Sequence, residues 1–158
     1  MRRQLLMGTA AGAAGTTALN AVTYLDMVTR GRPASRTPEE TLERVSDLTG
    51  IDVPGRGEAR QARLSGAGAL SGIAAGVACG AVLGVLRGAG LRFGPVAGPV
   101  VASALAMVAG NGPMAGLGVS NPRTWTAKDW AADVVPHLAY GLVTWATLEA
   151  GTPDRPRG

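Results

Sequence analysis

The stretch LSGAGALSGIAAGVACGAVLGVL, residues 64–86, decides the fold of this chain. It contains no charged residue, and it is close to the roughly 20 residues that a helix needs to cross a bilayer. Glycine recurs at every fourth position along it and just beyond. This spacing places the glycines near one helix face, where a second backbone can approach closely. The sequence therefore predicts a transmembrane helix with a packing stripe, or glycine zipper, made of Gly68, Gly72, Gly76, Gly80, Gly84 and Gly88.

A second uncharged segment, predicted to span residues 95–119, repeats the small-residue spacing. Its small residues are Gly94, Gly98, Ala102, Ala106 and Gly110. Because only the short turn 87–92 joins the two segments, we expect them to pack as an antiparallel hairpin. Alternatively, the stripe serves a homo-oligomer, as small-residue faces often do.

Two further apolar segments complete the pattern. The first covers residues 5–27, and the last covers residues 134–150, with Pro136 expected to kink or restart it. The loop 28–63 contains a short amphipathic helix, with Thr37 as its expected N-cap and Gly50 as its end. Residues 1–158 thus predict one all-α domain: a polytopic membrane bundle of about four transmembrane helices plus a surface helix.

Composition narrows the function classes. Charged residues make up 16% of the chain, against about 25% in an average soluble domain. The net charge is +4, but the basic residues flank apolar segments without interleaved aromatics, so we expect no nucleic-acid partner. A soluble helical protein rich in Ala and Gly is the alternative. The Arg2-Arg3 start also fits a twin-arginine export signal, although no small-residue cleavage site follows, and we expect a retained helix.

Polar residues inside the apolar segments form the candidate site. Asp129, Asp133, His137, Tyr140 and Thr144 follow helical spacing on the last segment. We predict a polar centre inside the bundle, made of Asn20, Asn111, Asp133, His137 and Tyr140. One interpretation is a set of interhelical hydrogen bonds that set helix register. The other is a hydrated pocket or proton path at His137 and Asp133.

No motif in the chain indicates a reaction. Cys79 and His137 are the sole residues of their types, so neither a cysteine cluster nor a histidine cluster can form. No phosphate-binding loop, nucleophile turn or pair of catalytic carboxylates is recognisable. We therefore expect no enzyme, no cofactor, no metal site and no catalytic residue.

The C-terminal third resembles YagU-like bacterial inner-membrane proteins, which have no agreed activity. The resemblance rests on a Pro…Gly-Leu stretch, an aromatic turn and a helix with an acidic residue and a His-Leu pair. These are Pro113-Met114-Ala115-Gly116-Leu117, Trp125 and Trp130, Asp133, and Pro136-His137-Leu138-Ala139-Tyr140. It implies a multi-pass protein of the bacterial cytoplasmic (plasma) membrane.

The expected role is structural or interaction-based, and the alternative is a small channel or transporter centred on Asn20, Asn111 and His137. The expected partners are the lipid bilayer and either a second copy or another membrane protein. With four spans, loops 28–63 and 119–130 share one side of the membrane and carry most of the basic residues. The positive-inside rule then places the large loop in the cytoplasm.

Overall fold

The computed structural model describes residues 1–151. This part of the chain folds into five α-helices and one 3₁₀ turn, Pro122–Thr124, and contains no strand. The predicted all-α class is confirmed. The helices are α1 (Arg2–Arg30), α2 (Thr37–Thr49), α3 (Gly57–Gly88), α4 (Ala97–Gly116) and α5 (Ala127–Ala150).

Several helix ends differ from the expected ones. Helix α3 begins at Gly57, because the polar residues before Leu64 continue the helix beyond its apolar part. Helix α4 continues through Pro113 and ends at Gly116, and α5 runs unbroken through Pro136 from Ala127. The expected restart at Pro136 is wrong, since packing on both sides holds the helix despite the missing N–H donor.

The four long helices form a ring in which neighbours are antiparallel. Helix α1 packs against α3 and α5, and α4 packs against α5 and less extensively against α3. The N-terminal half of α1 lies beside the C-terminal half of α3, with Gly8 next to Gly84. In the same way, Gly15 of α1 lies beside Thr144 of α5. The loops after α1 and α4 therefore lie at the same end of the bundle, as the four-segment pattern predicts.

The glycine stripe of α3 faces α1. A Cβ atom on Gly12 would lie 2.7 Å from the carbonyl oxygen of Gly76 and 3.0 Å from Cα of Gly80, so the two backbones are in contact. The expectation that this stripe packs against α4 is therefore wrong. Helix α4 presents its own small residues to α5 instead, where Gly98 contacts the indole of Trp145. Short loops decide which helices are neighbours in sequence, but matching faces decide which backbones touch.

The stripe is not continuous in its contacts. Gly88 lies against the side chain of Gln4 at one end, whereas Gly68 lies against Pro38 of α2 at the other. Between them, Gly72 has open space where a Cβ would stand. The bundle is thus closely packed in the half near the α1 N-terminus and more open towards the loop end.

Helix α2 lies against the start of α3 through polar contacts. Glu43 forms an ion pair of 2.6 Å with Arg60, and Glu39 accepts hydrogen bonds from Gln61 and Ser65. The apolar side chains of α2 are largely exposed, with Leu48 at 60%. Thr37 is the first helical residue rather than the N-cap, whereas Gly50 ends the helix in the left-handed conformation as predicted.

Among the helices of residues 1–151, α3 is the one long and apolar enough to cross a membrane, with a mean hydropathy of 2.1 in its most apolar window. The other long helices are less apolar for identifiable reasons. Helix α1 is rich in Gly and Thr and contains Asn20, and α5 begins with charged residues. Helix α4 is continuous, but Pro99, Asn111 and Pro113 lower the hydropathy of its apolar segment.

Candidate functional site

The predicted polar centre separates into two groups of hydrogen bonds. The first lies between α4 and α5, where Asn111 Nδ2 donates to Asp133 Oδ2 at 2.9 Å. His137 follows Asp133 by one helical turn, and its Nδ1 lies 2.7 Å from the main-chain oxygen of Asp133. The side chains of His137 and Asp133 are 13% and 19% exposed. This cluster therefore lies at the partly open end of the bundle.

The geometry of His137 differs from the expected one. Its Nδ1 is 3.6 Å from Asp133 Oδ1, so the closer contact is with the main chain rather than with the carboxylate. A carbonyl oxygen can only accept a hydrogen bond, which requires Nδ1 to carry the proton. Neutral His137 then has Nε2 as an acceptor. Asn111, which the prediction placed in the same polar centre as His137, donates its amide to Asp133.

Tyr140 belongs to the second group, which joins α1, α3 and α5. Its hydroxyl donates to the carbonyl oxygen of Gly76 at 2.7 Å, and the residue is fully buried. One turn later, the buried Thr144 Oγ1 donates to the carbonyl oxygen of Ala11 at 3.4 Å. The buried Thr16 completes the group by donating to Gly12 in its own helix at 2.8 Å. All three donors find main-chain acceptors.

Asn20 joins neither group. It is half-buried on α1, one turn beyond Thr16. The prediction of a single convergent centre that includes Asn20 is therefore wrong. Helical spacing correctly placed His137 and Tyr140 on α5, but three residues turn the helix by about 300°, so the two side chains point about 60° apart. As a result, His137 faces α4 while Tyr140 faces α1 and α3.

The predicted polar centre included neither Thr16 nor Thr144, although Thr144 was placed on the polar face of the last segment. Each lies on a small-residue face, and each hydroxyl can reach a main-chain carbonyl one turn back or on a touching helix. In the sequence, a threonine within a run of Gly and Ala is the signal that could have identified these buried hydroxyl donors. The signal is weak, because Thr17 has the same surroundings in the sequence but is exposed.

Two open pockets lie between the helices. One of about 20 Å³ lies between α3, α4 and α5 beside Trp145, whose Nε1 is buried without a hydrogen-bond partner. A larger groove of about 140 Å³ lies between α1 and α5. It is lined by small and apolar residues together with Asp26 and Arg30. Neither cavity is lined by His137, Asn111 or Tyr140.

The described part of the chain holds no group of three or more His, Cys, Asp or Glu side chains able to bind a metal ion. Cys79 is buried in the apolar core, where its Sγ lies 3.8 Å from the carbonyl oxygen of Leu105. The geometry of the site is therefore one of hydrogen bonds between helices.

Comparisons of the chain with family models, with curated proteins and with solved structures find no match.

Proposed function

We propose that this is a multi-pass protein of the bacterial plasma membrane, whose four long helices cross the bilayer and whose role is structural or interaction-based. The exposure of α3 carries the proposal. Only 22% of its most apolar window is buried within the protein. A core helix of a soluble protein would be mostly buried, and water would make this exposed apolar surface costly.

The distribution of charge supports four spans rather than one. Residues 4–25 of α1 and 64–86 of α3 carry no charge, and neither do residues 93–122 around α4 or 134–148 of α5. The antiparallel ring sets these segments side by side, with charged residues beyond both ends. At 1.5 Å per residue, the α3 segment is roughly 34 Å long, which matches a hydrocarbon core of about 30 Å.

The outer surface and the interior of the bundle also differ in composition, as a bilayer would require. Large apolar side chains point outward on all four long helices, among them Leu6 (69% exposed), Leu70 (67%), Val108 (69%) and Leu142 (56%). The interior holds mainly Gly, Ala, Ser and Thr, and its larger buried side chains include Tyr140, Leu64, Leu83 and Leu148. Buried hydroxyls bond to main-chain oxygens, as Ser103 does to Pro99 at 2.8 Å. Small residues inside and large apolar residues outside are typical of membrane helices.

The structural role rests on the close packing. Backbone contact between α1 and α3 leaves no room for a pore at that interface, and the hydroxyls of the second polar group all bond to the main chain. The resemblance of residues 113–140 to YagU-like proteins points to the same membrane but adds no activity.

Alkaline extraction and cysteine labelling test the topology. In a Cys79→Ala background, single cysteines are placed at Ala34, Ala89 and Ala127, which are all exposed. We expect the protein to stay in the membrane pellet at alkaline pH. We also expect Ala34→Cys and Ala127→Cys to react with an impermeant maleimide from one side, and Ala89→Cys from the other. Release at alkaline pH, or labelling of all three from the same side, would contradict the proposal.

One observation favours a channel or transporter as the second candidate. Asp133 and His137 are ionisable groups at the edge of the apolar region, and such groups often mark ion or proton pathways. Proton flux in liposomes separates the two roles, with His137→Gln as the variant and Tyr24→Phe as an exposed control. The structural role predicts the same background flux for all three proteins. Flux in the parent that His137→Gln abolishes would establish transport instead.

A further inference from the structure

We infer that the groove between α1 and α5 binds an anionic phospholipid, with the phosphate on Arg30 and Arg32 and an acyl chain in the groove. The inference rests on the proposed membrane location. It adds a ligand and a site to a protein that otherwise shows helix packing alone.

The end of α1 creates the basic part of the site. Helix α1 ends at Arg30, and Gly31 adopts the left-handed conformation with φ of 61°, which folds the chain back. This turn brings Arg32 to the same carboxylate that Arg30 contacts. Arg30 Nε lies 3.0 Å from Asp26 Oδ1, and Arg32 Nε donates to Asp26 Oδ2. One carboxylate thus aligns two guanidinium groups.

Both arginines use Nε for Asp26, which leaves terminal nitrogens directed elsewhere. Within residues 1–151, the two Nη atoms of Arg30 have no partner, and Arg32 uses one Nη for the carbonyl oxygen of Pro33. A guanidinium fork matches the oxygens of a phosphate. The two arginines and Asp26 leave a net positive charge. Asp129 accepts a hydrogen bond from Thr126, and its carboxylate also interacts electrostatically with Lys128 and Arg30, so the cluster with Lys128 included keeps a net positive charge.

The groove, which Arg30 lines and Arg32 adjoins through Asp26, suits a hydrocarbon chain. Its floor is formed by Val22, Ala131, Ala132, Val135 and Pro136. Its volume of about 140 Å³ is similar to that of an engineered protein cavity that holds benzene, about 150 Å³. A segment of an acyl chain therefore fits. Water or a soluble anion would gain no favourable contact with the apolar floor, whereas a hydrocarbon chain would.

In the proposed bilayer, the site lies at the depth of the lipid phosphate groups. On α1 the uncharged segment ends at Leu25, one residue before Asp26. On α5, Trp130 precedes the groove and stacks edge-on with Trp125 at 5.0 Å between ring centroids. Tryptophan is enriched at the membrane interface, and basic pockets between helices at this level bind lipid headgroups.

Lipid titration of the detergent-purified full chain tests the site, with bound lipid measured by native mass spectrometry. We expect phosphatidylglycerol to bind at least about tenfold more tightly than phosphatidylcholine, because two arginines face its net negative headgroup. The double variant Arg30→Gln/Arg32→Gln should lose this preference. The matched control Arg36→Gln/Arg44→Gln, at the same end but outside the groove, should keep it.

A second variant keeps the charges and fills the groove. Ala132→Leu should weaken phosphatidylglycerol binding by about tenfold, since a larger side chain occupies the floor. Inorganic phosphate should not compete with the lipid. Equal binding of phosphatidylglycerol to the parent and both groove variants, or displacement by phosphate alone, would overturn the lipid site. Such a result leaves the membrane location intact, because extraction and labelling test that separately.

Discussion

Tyr140 of α5 donates a hydrogen bond of 2.7 Å to the main-chain oxygen of Gly76 in α3. The bond crosses the bundle interior, because α3 and α5 both neighbour α1 and stand diagonally across the ring from each other. Gly76 makes this possible: a Cβ there would lie 3.5 Å from the Tyr140 ring and closer still to Thr16 Oγ1. The glycine stripe thus exposes a carbonyl oxygen as well as allowing close packing.

Tyr140→Phe removes this bond and keeps the ring. We expect the free energy of unfolding to fall by about 0.5–1.5 kcal/mol, the usual net contribution of one hydrogen bond. Unfolding in mixed detergent micelles, followed by far-UV circular dichroism, measures the change. Tyr24→Phe is the matched control, because Tyr24 is 59% exposed. Equal losses in both variants would show that the buried hydroxyl contributes nothing specific.

Gly80→Ala tests the contact between α1 and α3. A Cβ on Gly80 would lie 2.5 Å from the carbonyl oxygen of Gly8 and closer still to the backbone of Gly12. Backbone atoms cannot rotate away, so the helices must separate. We expect a loss of about 1–3 kcal/mol, as overpacking costs, and a greater loss for Gly80→Leu.

Gly72→Ala is the control within the same stripe, because nothing lies within 4 Å of its Cβ position. It should leave stability unchanged or raise it by up to about 1 kcal/mol through helix propensity. The same micelle unfolding assay compares the two variants. If Gly80→Ala were as stable as Gly72→Ala, the close approach of α1 and α3 would be refuted.

Asn111→Ala tests the contact between α4 and α5. The Asn111 amide donates to the partly exposed Asp133 carboxylate at 2.9 Å. We expect a loss of about 1–2 kcal/mol, near the lower end for a bond to a charged group, because water can replace part of the interaction. Asn20→Ala, at a half-buried position outside both polar groups, should cost less. A larger loss for Asn20→Ala would restore the single polar centre.

Asp129 gives the fold a pH dependence at the start of α5. Hydrogen bonds from the Thr126 side chain and main-chain N–H hold the pKa of Asp129 below its ordinary value of 3.8. The folded state therefore binds this proton less readily than the unfolded state. The contribution is fully present above the ordinary pKa and is lost as the pH falls through the lower folded value.

Melting temperatures of the parent and Asp129→Asn against pH check this sign. We expect the parent to be the more stable at neutral pH and the difference to shrink on acidification below the ordinary pKa. Asp47→Asn, at an exposed position of α2, is the control for a general effect of removing one carboxylate. A difference that grows on acidification would contradict the assignment.

Several local features followed from the sequence alone. The helical class and the end of α2 at Gly50 are predicted and are present, and the capping box at Thr126 and Asp129 is equally local in origin. These features depend on residues within one or two turns of each other. Their hydrogen bonds are formed inside one element, so spacing along the chain carries the necessary information.

The site was predicted only in part, for a geometric reason. Helical spacing placed Asp133, His137 and Tyr140 on α5, but neighbouring turns of one helix can face different partners. Asn111 therefore donates a hydrogen bond to Asp133, and Tyr140 donates one to Gly76. Asn20 belongs to neither group. The basic pair at Arg30 and Arg32 was also missed, because only the turn at Gly31 brings both to Asp26.

The sequence by itself determined the apolar segments, their small residues and the charge at their ends, because each is a property of residues close together in the chain. The tertiary structure decided that the stripe of α3 meets Gly8 and Gly12 of α1 and not α4. The turn 87–92 makes α3 and α4 neighbours in the chain but contributes little packing energy. Backbone contact requires two faces that both lack side chains, and that match appears only when distant segments come together.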